Sequence, residues 1–448
     1  MKTFGLLIAA ATLTLASAAH ADSCSQQGVT RAATLALDAN RSLSALPVSE
    51  DRQTDVSPAG RKAIAAIKDR LNDYTTAVMR CAPEKIAAAD LKKTLMGFAG
   101  VELPEGHPAK KPSPDEASYG GDLLFDVRQA SPDVIGVVAR FGIPCGEDAM
   151  LMVFERQGNA WVETLRTQSV PYKTVAGGWG SFDYGISPHD KDRHWFVVTK
   201  TVAPWCSSTW SEIRYAVQRP AADAAHPRTL LSKTDSIWWD PGMGDLKVDA
   251  TGFDLRWRAE SMDGGVHNRA WIAHYMVHEN RAYRVAPIAE NPRDFADEWI
   301  RLDWSDAKNW TVVAAYGLKP LHNTLQKMHS FDYVSVRRCS VENHTQVEVE
   351  PTDSAGDTRH VFFQVATGQV LQMFDVSYAA DPRCKGPTST VWIALSNDGY
   401  RVSSKIASIV SPNTRAILKA SGRLGSYLPV SIAFTDCRDT ASRSARSA

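Results

Sequence analysis

One structural unit recurs three times along the middle of this chain, and its repetition limits the fold more than any other feature. Each unit is an apolar stretch that closes with a basic residue, followed by a loop and a second apolar stretch. The basic residues are Arg140, Lys200 and Arg258, which lie 60 and 58 positions apart. A fixed spacing of this size is typical of one supersecondary unit used several times, as in a β-propeller or an array of β-meanders.

The apolar stretches have the pattern of antiparallel strands. They cover residues 134–140 and 150–154, 195–200 and 213–217, and 253–258 and 271–276. Bulky and polar side chains alternate in the later stretches, which indicates strands with one buried face. We predict a mainly β chain with an N-terminal α-helical segment and repeated antiparallel β-meanders that start near Asp126, Asp183 and Asp249. A β-propeller is the narrower interpretation.

The first 21 residues have the composition of a secretory signal peptide. Lys2 precedes an apolar run of about 14 residues, which is too short to cross a bilayer. Ala19 and Ala21 form a small-x-small cleavage site. We expect a secreted or periplasmic protein. We also expect no membrane span in the mature chain, because no later stretch is long and apolar enough.

The seven cysteines are expected to form structural disulfides, because an oxidising compartment favours them and no C-x-x-C pair is present. Cys145 and Cys206 occupy the same loop in successive repeats, which predicts that they bridge each other. The expected pairs are Cys24 with Cys81, Cys145 with Cys206, and Cys339 with Cys384. Cys437 is then left over, and its pairing with Cys339 or Cys384 is the alternative.

Apolar residues recur every three or four positions between 61 and 79, which predicts an amphipathic helix. Ser57 is its expected N-cap. A second helix before it and a short third one at 90–96 complete the region. A bridge between Cys24 and Cys81 would tie the N-terminus to the end of the long helix, so we predict an antiparallel helical hairpin.

Shifts in composition divide the chain into seven segments. They are a signal peptide at 1–21, a helical hairpin region at 22–101, a linker at 102–118, a repeated antiparallel β region at 119–290, a helical or irregular connection at 291–330, a C-terminal antiparallel β region at 331–437, and a disordered tail at 438–448. Proline and charge cluster without periodicity in the linker, and the tail is rich in Ser and Arg.

Motifs for catalysis or cofactor binding are missing from the sequence. It contains no G-x-S-x-G, no Walker-type G-x-x-x-x-G-K and no G-x-G-x-x-G. We therefore assign no catalytic residue and expect no cofactor, and we leave open whether the chain is an enzyme. The formal charge is zero, which gives no reason to expect nucleic acid as a partner.

Two groups of histidines and acids have the composition of metal ligands. His274 and His278 are four apart beside Glu279, but four residues of a strand span about 13 Å, too far to share one ion. The loop 187–194 contains two His and two Asp, yet a polar turn between strands selects the same residue types. We expect no metal site at either place.

Tryptophans at predicted loop positions are the best functional lead in the sequence. Trp179, Trp205 and Trp210, with Trp238 and Trp239 nearby, could form a flat surface on which sugars or peptides stack. The alternative is that they pack beneath the loops. A glycan or protein ligand is the partner class that such a surface indicates.

Two functions from different classes fit these observations. The first is a secreted or periplasmic binding or scaffold protein that presents loops on a β-repeat body. The alternative is an extracytoplasmic hydrolase acting on a glycan or peptide. Acids or histidines from three repeats converging on one concave pocket would favour the hydrolase, and a face lined only by aromatics and amides would favour the binder.

Overall fold

The computed structural model describes residues 24–47, 56–97, 119–143, 146–169, 181–202, 210–238, 244–263 and 268–386. The helices are α1 (Gln26–Ser44), α2 (Pro58–Cys81), α3 (Ala88–Met96), α4 (Pro292–Arg301), α5 (Trp304–Ala307) and α6 (Lys319–Leu325), and 3-10 turns lie at Lys308–Trp310 and Val313–Leu318. Cys145, Cys206 and Cys437 lie outside the described residues, so the predicted bridge between Cys145 and Cys206 stays a prediction.

Within the described ranges, sixteen strands form four antiparallel four-stranded sheets, each with its strands in chain order. Sheet A contains β1 (Leu124–Ser131), β2 (Val134–Ile143), β3 (Gly146–Gln157) and β4 (Ala160–Gln168); sheet B contains β5 (Ser181–Ile186), β6 (Val197–Val202), β7 (Trp210–Arg219) and β8 (Arg228–Trp238). Sheet C contains β9 (Asp245–Val248), β10 (Gly252–Glu260), β11 (Asn268–Val277) and β12 (Ala282–Arg284); sheet D contains β13 (Ser330–Arg338), β14 (His344–Thr352), β15 (Val361–Thr367) and β16 (Leu371–Ser377).

The prediction of a mainly β chain built from repeated antiparallel meanders, with an N-terminal helical segment, is confirmed. The repeated stretches of the sequence are the second and third strands of sheets A, B and C. These central strands have neighbours on both sides, so they carry the strongest apolar pattern. Trp195 and Phe196 differ from the prediction, because β6 starts only at Val197 and both residues end the preceding loop.

The N-terminal helices form a hairpin closed by a disulfide bond. The side-chain oxygens of Ser25 and Ser57 accept hydrogen bonds from backbone N–H groups in the first turns of α1 and α2. Cys24, before α1, is bonded to Cys81, the last residue of α2. The start of one helix therefore lies beside the end of the other, which is the antiparallel arrangement that the sequence predicts.

Sheets A, B and C stack face to face. The odd-numbered residues of β2, such as Val137, pack against the helical hairpin, whereas even-numbered ones, such as Val138, pack against sheet B. In β6, Val197 packs against sheet A and Val198 against sheet C. Because β2 is buried on both faces, it is an almost continuous apolar run; β6 is buried on both faces too, but it includes Thr199, Lys200 and Thr201.

A basic residue of the second strand joins sheet A to sheet B and sheet B to sheet C. Arg140 of β2 donates to the carbonyl oxygen of Phe182 in β5 at 2.9 Å, and Lys200 of β6 donates to that of Gly244, just before β9, at 2.8 Å. Arg258 lies at the equivalent place in β10. The 60-residue period in the sequence therefore reflects contacts between successive sheets as well as the repetition of strands.

Among the sheets of the described residues, the face-to-face stack ends at sheet C. Asp254 and Arg256 of β10 point away from sheet B, and about half of each side chain is exposed. Sheet D instead packs its inner face on α4 and the helical turns that follow it. Face-to-face packing is therefore not repeated between sheets C and D, and the narrower interpretation as a β-propeller stays a prediction.

A buried ion-pair network connects sheet C to α4. Arg269 of β11 donates to Asp297 at 3.1 Å and to Glu298 at 2.5 Å, and also to the carbonyl oxygen of Ile288 at 2.7 Å. These three acceptors balance the charge and the hydrogen-bonding needs of a guanidinium that water does not reach. The network fixes the connection to the C-terminal sheet.

The second disulfide lies in the C-terminal sheet, where Cys339 is bonded to Cys384. Two disulfide bonds are typical of proteins from oxidising compartments. Among the helices of the described ranges, none combines the length and the apolar character needed to cross a bilayer.

Candidate functional site

One end of the stacked sheets forms a concave surface, which we call the arginine cleft. It has a volume of about 380 Å³, a size that suits a small-molecule ligand. It is lined by Glu155 of sheet A, by Arg193, His194, Trp195, Arg219, Pro220 and Arg228 of sheet B and its loops, and by Glu279 and Asn280 of the turn after β11. Three successive sheets therefore contribute to one site.

The cleft is built on equivalent ends of three strands. Glu155 lies near the end of β3, Arg219 is the last residue of β7, and Glu279 lies just beyond β11. These are the third strands of sheets A, B and C. The sheets stack face to face, so the ends of equivalent strands come together although the residues are 64 and 60 positions apart.

Two arginines face each other across the hairpin of sheet B. Arg219 of β7 and Arg228 of β8 are directly opposite partners in the antiparallel ladder. Like charges at such positions destabilise a sheet. An arrangement that disfavours folding and lines a cavity indicates a binding role.

Arg219 is the buried centre of the site. Its residue surface is 6% exposed, and its Nε is buried without a hydrogen-bond partner. Within the described part of the chain, its guanidinium makes no hydrogen bond or ion pair. Burial lowers its pKa from the ordinary value, while Asp190 and Glu279 act in the opposite direction from beyond ion-pair distance. A buried cation without an anion is costly, and a bound anion would remove that cost.

Arg228 joins the hairpin of sheet B to the turn of sheet C. It donates to the side-chain oxygen of Asn280 at 3.0 Å and to the backbone oxygen of Glu279 at 2.6 Å. Both acceptors are neutral, so the charge of Arg228 is held in place without being balanced. The carboxylate of Glu279 forms no ion pair with a described residue.

The loop between β5 and β6 forms the side of the cleft through a tight turn. Asp190 accepts hydrogen bonds from the backbone N–H groups of Asp192 at 2.9 Å and His194 at 2.8 Å. Burial raises the pKa of Asp190, but these two bonds and nearby positive charge hold it below the usual value. Arg193 adopts a positive φ of 61° within this turn, which directs its side chain back toward sheet A.

This loop is also where the sequence placed a candidate metal group. The ligand atoms of Asp190, Asp192 and His194 lie within 4.8 Å of one another. Two of these residues are exposed, and Asp190 already accepts the backbone bonds of the turn. The turn accounts for the composition of the loop, and the expectation that the loop binds no metal stays a prediction.

Acidic groups complete the wall on the side of sheet A. Arg193 forms an ion pair with Asp133. The ring of His189 lies between Asp133 and Glu155, with nitrogen–oxygen distances of 3.5 and 3.8 Å. The positive charge of Arg193 is thus balanced within the wall, whereas Glu155 has no partner closer than His189 among the described residues.

The structure describes only some of the tryptophans that are predicted to bind ligand. Trp179 and Trp205, with Trp239, lie outside the described residues. The backbone of Trp210 starts β7 and that of Trp238 ends β8, so they pair at the end of the hairpin opposite to Arg219. The stacking surface stays a prediction. Trp195 does line the cleft, but it is only 3% exposed and offers no open ring face.

The other histidine pair has protein partners. His274 lies on β11, as the repeat predicts, with its Nδ1 2.6 Å from a carboxylate oxygen of Asp254. His278 stacks on the ring of Tyr283 at a centroid distance of 5.4 Å. Each imidazole is therefore held by its own neighbour, and the pair does not face a common point.

Sequence reasoning missed the arginine cleft. In the sequence, Arg219 and Arg228 look like ordinary polar residues between apolar stretches. A usable signal was present, because Glu155, Arg219 and Glu279 lie 64 and 60 positions apart, close to the spacing of Arg140, Lys200 and Arg258. Charged residues one period apart at strand ends were candidates for a shared surface.

Comparison with known proteins gives little further information. No protein-family model and no curated protein matches this chain. Among solved structures, the chain is similar to the catalytic domain of a Coprinopsis cinerea GH62 alpha-L-arabinofuranosidase, with 11% identity over 62% of this chain and 69% of that one and a TM-score of 0.18. It is also similar to a thermostable family-43 glycoside hydrolase, with 10% identity over 58% and 95% and a TM-score of 0.16. Similarity at this level carries no functional argument.

Proposed function

We propose that this chain is a binding protein of an oxidising compartment outside the cytoplasm, secreted or periplasmic, and that its arginine cleft takes up the anionic group of a small ligand. The observation that carries the proposal is Arg219. Arg219 is a buried residue whose Nε has no hydrogen-bond partner, and it lies directly opposite Arg228, an arrangement that has a cost in the free protein. A carboxylate or phosphate between the two arginines would remove it.

The rest of the cleft supports binding rather than scaffolding alone. Its volume suits a ligand of small-molecule size. Arg228 is fixed by Asn280 and the backbone of Glu279 before any ligand arrives. Such preorganisation lowers the entropic cost of binding. The compartment is supported by the two disulfide bonds.

The proposal is tested by calorimetry and thermal shift with acetate, succinate, citrate, inorganic phosphate and a set of L-amino acids. We expect at least one of these anion-bearing compounds to bind, and the Arg219→Gln variant to bind it at least tenfold more weakly. Lys191→Gln, at an exposed position of the neighbouring loop, is the matched control. Equal binding by Arg219→Gln, or no binding by any compound of the set, would overturn the proposal.

A hydrolase acting on a glycan or peptide is the second candidate. It is favoured by the convergence of Glu155, His194 and Glu279 from three sheets on one cleft, which is the arrangement that the sequence analysis assigned to an enzyme. Chromogenic glycosides and peptides test it. Turnover that is lost in both Glu155→Gln and Glu279→Gln would replace the binding proposal by this one.

A further inference from the structure

We infer that the ligand of the arginine cleft is a zwitterion of the size of an amino acid or a dipeptide, with a carboxylate for the arginines and an ammonium group for the two glutamates. This inference rests on the proposed function, because it names the ligand class of the same site. It starts from the signs of the charges that the cleft leaves unbalanced.

The three arginines of the cleft differ in whether a carboxylate balances their charge. Arg193 is balanced by Asp133 in the wall. Arg228 bonds only neutral oxygens, and Arg219 makes no bond from its guanidinium to a described residue. Two positive groups are therefore unbalanced in the cleft.

The two carboxylates that line the cleft also lack a close ion-pair partner. Glu155 has His189 at 3.8 Å as its nearest ionic neighbour, and the carboxylate of Glu279 has no ion-pair partner in the described ranges. Two unbalanced carboxylates thus face two unbalanced guanidinium groups. A ligand of zero net charge with both signs matches this cleft, whereas a phosphate dianion would meet the carboxylates at a Coulombic cost.

The opposite charges share a cleft but do not pair with each other. Glu279 is near enough to raise the pKa of Arg219 against the effect of burial, yet the two groups are beyond ion-pair distance. The turn that carries Glu279 is held in place by Arg228, which donates to the backbone oxygen of Glu279 at 2.6 Å. The opposite charges therefore lie in one cleft without pairing, and a bipolar ligand can bridge them.

The size of the cleft and the nature of its walls favour a small zwitterion over an acidic sugar. The cleft volume of about 380 Å³ suits a dipeptide. Sugar sites gain affinity from exposed aromatic faces. The aromatic residue that lines the described part of the cleft, Trp195, is 3% exposed and does not offer such a face.

The experiment compares L-alanyl-L-alanine with its N-acetyl derivative, its C-terminal amide, propionate and inorganic phosphate, by isothermal titration calorimetry on the full exported chain. We expect the free dipeptide to bind at least tenfold more tightly than each single-charge analogue. Glu155→Gln and Glu279→Gln should weaken binding of the free dipeptide, and they should not weaken binding of N-acetyl-dialanine, which is an anion without an ammonium group.

The outcomes separate this inference from the proposed function. The zwitterion is wrong if N-acetyl-dialanine or propionate binds as tightly as the dipeptide, or if phosphate binds most tightly. The anion site still stands in that case if Arg219→Gln removes the binding. If none of these probes binds, the zwitterion is wrong, and binding of the anions that test the proposed function decides whether the anion site stands. Circular dichroism of each variant checks that a loss of binding is not a loss of folding.

Discussion

The ammonium group of Lys200 lies 2.8 Å from the carbonyl oxygen of Gly244 and 5.0 Å from the centre of the Trp257 ring. Lys200 belongs to sheet B, and the other two residues belong to the start and the second strand of sheet C. Gly244 has a positive φ of 60°, and a Cβ there would lie 2.2 Å from the Trp257 ring. A buried lysine, a glycine and a tryptophan thus form one joint between two sheets.

Replacing Lys200 by Met should weaken that joint. The carbonyl of Gly244 loses its donor, and Asp183 loses one of its two cations while keeping Arg128 at 2.9 Å. We expect the free energy of unfolding to fall by about 2 kcal/mol, measured by urea denaturation. The control is Lys191→Met, whose side chain is 90% exposed and which should change stability by less than about 0.5 kcal/mol. Equal stability of both variants would contradict the role of this contact.

Replacing Arg219 by Gln should have the opposite effect on stability. It removes a buried unpaired charge and the like-charge pair with Arg228. We expect the free energy of unfolding to stay unchanged or to rise by up to about 1 kcal/mol in ligand-free protein. A stability gain that accompanies a loss of binding is the mark of a functional residue. A fall of more than about 2 kcal/mol would instead indicate a structural role for Arg219.

Removing the disulfide bond between Cys24 and Cys81 should destabilise the helical hairpin. The bond joins residues 57 positions apart, and the chain-entropy model gives a stabilisation of about 4 kcal/mol for a loop of this length. We expect the double variant Cys24→Ser, Cys81→Ser to lose up to this amount in thermal and denaturant unfolding. Peptide mapping without reduction provides the control, because the Cys339–Cys384 peptide must remain linked in the variant. A variant as stable as the parent would show that the bond adds nothing.

His322 should make stability depend on pH in the acidic range. Its ring is buried beside Trp299 and Trp304, and its Nε2 lies 2.9 Å from the carbonyl oxygen of Trp299. Burial lowers its pKa in the folded state. The unfolded chain, with a pKa of about 6.5, then binds the proton more readily, so stability is fully present above that value and falls as the pH decreases below it.

The measurement compares the parent with His322→Gln, which keeps an N–H donor and does not titrate. Between pH 7 and pH 5 we expect the parent to lose up to about 2 kcal/mol more than the variant. Other groups titrate equally in both proteins, so the difference isolates His322. Parallel curves for the two proteins would contradict a lowered pKa of His322 in the folded state.

How far the sequence predicts this protein depends on the range of the interactions involved. The stripe of apolar residues in α2, the N-cap at Ser57 and the strands β2, β3, β6, β7, β10 and β11 were all predictable, because each depends on neighbours within a few positions. The turn at Asp190 was predictable for the same reason. The missed start of β6, at Val197, is a boundary, which local patterns define least well.

The sequence by itself determined the strand units, their period and the hairpin of helices, since these follow from side-chain periodicity along a short stretch of chain. Only the tertiary structure decided which faces of the sheets meet, where the stack ends and which charges share a cleft. Arg219 and Glu279 look like ordinary polar strand ends in the sequence. They form one site because sheets B and C pack face to face. Only that packing buries the Nε of Arg219 and leaves it without a hydrogen-bond partner.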